Sequence, residues 1–229
     1  MKILKLFLVA ALALAAAFTA RAEISAQAWL ETYYLNPQPA ELPRAIQRLS
    51  QEGYFDEPSH VAVAIGFIGT IFAQHPQQVD AWLLQLNGLP FRHQRLIAAA
   101  LWQAGLPLGN DMLRVLGPSA RNHEQVAQLA TLPAPAIENT PVLSASSMNL
   151  RWGAFLATGD ERHIISILDA IGDDRPGLDA AARVALAQDA AAHPRVMEIC
   201  RAQLDRQPEE VRSVLRAALL DASGPRPRT

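Results

Sequence analysis

Apolar residues in this chain recur at helical spacing, and alternating runs rich in Val, Ile and Thr do not occur. Leu42, Ala45, Ile46 and Leu49 form one stripe of a helix expected over roughly 40–52, which Gly53 stops. Before it, Ser25 can cap a first helix carrying Trp29, Leu30, Tyr33 and Tyr34, and "NPQPAELP" then breaks the chain. The segment "EPSHVAVAIGFIGTIFAQHP" holds an apolar run from Val61 to Ala73. That run is too short to span a bilayer and suits a buried central helix. Its Gly66 and Gly69 lie three apart on one face, where they could let another helix approach. A fourth helix starts at Pro76 and carries Val79, Trp82, Leu83 and Leu86. A fifth, "PFRHQRLIAAALWQAG", ends at Gly105, and shorter ones follow around 109–116 and 122–131.

The stretch 132–147 is rich in proline and serine and has no period, so it reads as a linker or crossing loop between an N-terminal half (23–131) and a C-terminal half (148–222). In the second half, "RWGAFLATGD" parses as a joint between two helices. Trp152, Phe155 and Leu156 share a face, Gly153 is a close-packing position, Gly159 can end one helix, and Asp160 can cap the next. Pro76, Pro194 and Pro208 each stand where a new helix should begin. Together these features predict an all-α fold, a helical-hairpin array that is solenoid-like in the manner of tetratricopeptide or HEAT proteins but without a clear repeat consensus. Residues 223–229 read as a disordered tail.

The N-terminus changes the picture of where the protein works. Lys2 and Lys5, an apolar run, and Ala20-Arg21-Ala22 make the layout of a secretory signal peptide over 1–22, implying export, most simply to the periplasm. An uncleaved inner-membrane anchor is the competing reading. Cleavage would remove three of the 20 basic residues, leaving 17 against 22 acidic ones and a net charge of −5. A mildly acidic chain with no basic tract argues against a nucleic-acid partner and against an anionic membrane surface. Both lysines lie in the signal region, so the exported part has no Schiff-base or phosphate-loop lysine. Cys200 is the one cysteine, which rules out an intramolecular disulfide.

Chemistry is sparse. The six histidines show no helical zinc pair, and neither a nucleophile elbow nor a glycine-rich phosphate loop is present, so no metal, cofactor or catalytic residue is expected. His75 and His193 precede prolines at helix ends, where an imidazole can serve the last carbonyls, and His163 reads as a surface residue at a helix start. Asp173-Asp174 and Glu209-Glu210 read as structural acid pairs. Candidate binding residues are Tyr33 and Tyr34, which with Trp29 make an aromatic patch, and Arg151, Trp152 and Asp160, which could flank a pocket.

Read together with "YYLNPQP" and "IGFIGTIFAQHPQQVDAWL", the "RWGAFLATGD" turn resembles a group of uncharacterised exported bacterial all-helical proteins sharing a Trp-Gly-x-Phe-x-Ala-Thr-Gly-Asp motif. The resemblance implies an exported helical protein and carries no catalytic residue. The expected function is a non-enzymatic module that binds another protein or a peptide. The alternative is a small-molecule-binding protein or enzyme with a pocket near Trp152 and Asp160.

Overall fold

Helix-favouring periodicity throughout the chain produces an all-α fold. A computed structural model describes residues 25–116, 124, 128, 131–132, 136–171 and 175–223, and no strand occurs among them. The signal region, most of the helix expected at 122–131, the Asp173-Asp174 pair and residues 224–229 lie outside the described residues.

The N-terminal half contains α1 (Ala26–Thr32), α2 (Leu42–Gln51), α3 (Pro58–Gln74), α4 (Val79–Leu86), α5 (Phe91–Gln103) and α6 (Pro107–Leu116). Ser25 caps α1 by accepting from the Ala28 N–H. Gly53 turns the chain after α2 at φ 75°, a conformation that glycine adopts without a Cβ penalty. The helices expected at 40–52 and from Pro76 both open with a 3-10 turn, Pro39–Glu41 and Pro76–Gln78, each with proline at its first position.

α3 is the hub. From Ala62 to Phe72 all but one of its residues are buried, so it is apolar on every side, as a helix surrounded by others must be. Burying side chains such as Phe67, Ile68, Ile71 and Phe72 contributes about 1.5–3 kcal/mol each.

The C-terminal half contains α7 (Ala145–Thr158), α8 (Glu161–Leu168), α9 (Leu178–Ala192), α10 (Pro194–Gln203) and α11 (Glu209–Ser223). Its chief contact with the first half runs from α7 to α3. The two helices approach backbone to backbone: a Cβ on Gly66 would run into the Leu150 carbonyl, and one on Gly153 into the Val63 carbonyl. Gly69 serves a different neighbour, the Ala100 carbonyl of α5, so the two glycines of α3 admit two helices rather than one. One continuous hydrophobic core joins both halves, from Leu30 of α1 to Leu219 of α11.

The crossing stretch is ordered where it is described. It forms a 3-10 turn, Ile137–Asn139, and buries Ile137 and Val142. Ser144 and Ser147 then make a reciprocal capping box at the start of α7.

A cleft at the joint between α7 and α8

The helix stop and cap of the "RWGAFLATGD" joint form as its residues predict and make one wall of a cleft of about 530 Å³, while Trp152, expected to face the core with Phe155 and Leu156, is only partly buried. Phe155 and Leu156 are fully buried, and Gly159 ends α7 in the left-handed region at φ 69°. Asp160 caps α8, its Oδ1 accepting from the Arg162 N–H at 2.9 Å. The Thr158 hydroxyl ties the joint together, donating to the Ala154 carbonyl and accepting from the Asp160 N–H. The Arg162 guanidinium folds back on the Asp160 carboxylate, with Nε 2.9 Å from Oδ2. Hydrogen bonding to Arg162 holds the Asp160 carboxyl below its ordinary range.

His163 lines the cleft and is 1% exposed, so the surface position expected for it is corrected. The reason is register: His163 lies four residues before Ile167 and shares the buried face of α8 with Ile164, Ile167 and Leu168. Burial, and then the neighbouring Arg151 charge, push its imidazole down to about 4, so it is neutral at neutral pH.

Arg151 stands behind it, 3% exposed, with Nη1 3.5 Å from His163 Nδ1. Other donors go to main-chain carbonyls: Nη2 to Thr140 at 2.7 Å and to Glu138 at 2.9 Å. Arg151 thereby fastens the 3-10 turn that forms another wall of the cleft through Ala136, Ile137 and Glu138. Its role here is to position that wall.

The third wall comes from the C-terminal turns of α3 and α5, with Thr70 and Gln103. Thr70 is 7% exposed, and its Oγ1 is buried without a hydrogen-bond partner. Such a hydroxyl carries a desolvation cost until something bonds it.

The five candidate binding residues fall in different places. Asp160 lines the cleft and Arg151 braces it. Trp152 points elsewhere, stacking on Phe155 at 5.2 Å and standing edge-on to His193 at 5.1 Å. Tyr34 joins that group, 5.2 Å from Phe155, with its hydroxyl 3.5 Å from His193 Nδ1. Tyr33 belongs to the core: it packs edge-on against Trp29 at 5.0 Å and Phe67 at 5.2 Å, and burial pushes its hydroxyl up to about 12. The aromatic patch expected on the first helix is therefore split between two clusters. The rings of His193 and His75 turn toward aromatic neighbours, Trp152 and Trp82 respectively.

Sequence reasoning missed Thr70 and misplaced His163. The position of His163 on the apolar stripe of α8 was a usable signal, whereas Thr70 sits inside an apolar run with nothing to mark it.

Among the described residues no three His, Cys, Asp or Glu side chains gather as metal ligands, and no helix is long and apolar enough to cross a membrane. Comparison with protein-family models, with curated proteins and with solved structures returns no match for this chain.

Proposed function

We propose that the protein is an exported helical binding protein whose cleft takes a small, uncharged, hydrogen-bonding molecule. The polar side chains that meet along the cleft, Gln103, Asp160, Arg162 and His163, carry this reading, since they offer a ligand several hydrogen-bonding groups at once. The charge pattern agrees. Asp160 and Arg162 neutralise each other, and His163 is neutral, so the lining offers donors and acceptors without demanding a charge in return. The volume lies within the range of small-molecule sites.

The test is titration with a panel of neutral sugars, polyols and amides, followed by nuclear magnetic resonance, in the parent and in Arg162→Met. The variant removes an exposed donor from the lining, so binding weakens by about fivefold or more. A panel with no binder, or a binder that Arg162→Met holds equally well, refutes the reading.

A second reading, a peptide-binding module, rests on the half-exposed cluster of Tyr34, Trp152 and His193. Aromatic side chains of this kind anchor protein partners. Capture of a peptide that Trp152→Ala abolishes and Arg162→Met leaves intact would favour it.

A further inference from the structure

Arg151 does more for the cleft than hold its wall. A guanidinium only donates hydrogen bonds. Its Nη1, 3.5 Å from His163 Nδ1, therefore meets that nitrogen as an acceptor, and a proton on Nδ1 would face the guanidinium's own N–H. The His163 proton sits on Nε2 instead. Burial and then the Arg151 charge hold the imidazole down at about 4, so the ring stays neutral and keeps this tautomer. The Nε2–H has no hydrogen-bond partner among the described residues, although His163 is 1% exposed and lines the cleft. A donor left in this state favours an acceptor that enters from the cleft.

Other lining groups accept. α3, α5 and α7 all run their C-terminal ends to the cleft, where Gln74, Gln103 and Thr158 close them and line it. The last carbonyls of a helix lack partners within it and carry partial negative charge. Glu138 adds a carboxylate that makes no hydrogen bond or ion pair among the described residues, and the Arg151 and Arg162 charges nearby offset its own. Arg151 places this residue too, since Nη2 donates to the Glu138 carbonyl at 2.9 Å. At the start of α8, by contrast, the Arg162 N–H is already spent on Asp160.

We propose that the cleft selects primary carboxamides, a narrower class within the uncharged ligands already proposed for it, on whose binding there the inference rests. The amide oxygen accepts from His163 Nε2–H. The amide N–H groups go to the Glu138 carboxylate and to the carbonyls at the helix ends. A primary carboxamide carries an acceptor and two donors without a net charge, whereas a tertiary amide keeps the oxygen and loses both donors. His163 fixes the oxygen, and Arg151 is a positioning residue that sets the tautomer.

The test titrates the purified protein, isotope-labelled in its histidine ring nitrogens, with benzamide and N,N-dimethylbenzamide. Without ligand, the His163 ring, assigned through His163→Gln, should show its proton on Nε2. Benzamide should bind about tenfold or more tightly than N,N-dimethylbenzamide and should shift the Nε2 resonance. Glu138→Ala alters an exposed side chain, so the fold should survive while the preference shrinks to about threefold or less. A proton on Nδ1, equal affinity for the two amides, an Nε2 resonance that bound benzamide leaves in place, or a preference that survives Glu138→Ala each overturn the proposal. Sugars or polyols that bind where benzamide does not overturn it alone and leave the cleft a binding site, whereas a panel without any binder removes both.

Discussion

Gly153→Ala tests the closest contact in the fold. An added Cβ would stand 2.7 Å from the Phe67 nitrogen and nearer still to the Val63 carbonyl, inside the 3.4 Å at which ordinary contact begins. Both neighbours are backbone of α3, so no side chain can swing aside and the two helices must part. Overpacking of this kind costs about 3 kcal/mol at the top of its usual range. Replacing glycine by alanine inside a helix returns up to about 1 kcal/mol of propensity. The net expectation is a loss of about 2 kcal/mol, or about 4–8 °C in melting temperature for a chain of this size. Thermal and urea melts followed by circular dichroism measure it. Gly88→Ala is the control, since nothing lies within 4 Å of its Cβ. Gly66→Ala should behave like Gly153→Ala, and the double variant should cost less than the sum, because helices parted once need not part again. Were Gly153→Ala to melt at or above the parent, the α3–α7 seam would be looser than the contacts require, and the reasoning would fail.

Asp160→Ala removes the cap of α8, and chemical denaturation should record a loss of about 1 kcal/mol. A buried group, His163, and a partly buried one, Asp189, oppose each other between pH 4 and 7. His163, held down at about 4, stabilises the fold above pH 6.5, and that stability drains away as pH falls toward 4, by roughly 3 kcal/mol. Asp189, raised by burial to about 7, acts in the opposite sense: its ionised form penalises the fold above pH 7 by at most roughly 4 kcal/mol, and the penalty lifts as pH falls toward 3.8. The parent should thus show a flat stability profile across this window. Asp189→Asn should lose stability on acidification and His163→Gln should gain it, and matching slopes in urea melts of the two variants would contradict the assignment.

Much of the fold was legible because the devices that make it are local. A stripe such as Leu42, Ala45, Ile46 and Leu49 needs only helical periodicity to be seen, and its burial follows. The same holds for the joint at 151–160, where a glycine at positive φ and a capping aspartate act within one turn of their own backbone. The functional reading was harder, since it depends on which faces meet. Arg151 and Trp152 are adjacent in the chain, yet one braces a cleft wall and the other joins Tyr34 and His193. Tyr33 and Tyr34 part in the same way, one to the core and one to the half-exposed cluster.

The all-helical class, the positions of the caps and the glycines that permit close approach were determined by the sequence alone, because each rests on interactions within about four residues. Which helix each glycine admits and the unpaired hydroxyl of Thr70 beside a cleft were decided by tertiary structure. Those features join residues 31 or more positions apart, or depend on a partner that is missing. Pairing at that distance follows from how helices pack, and no periodicity in a single strand of sequence encodes it.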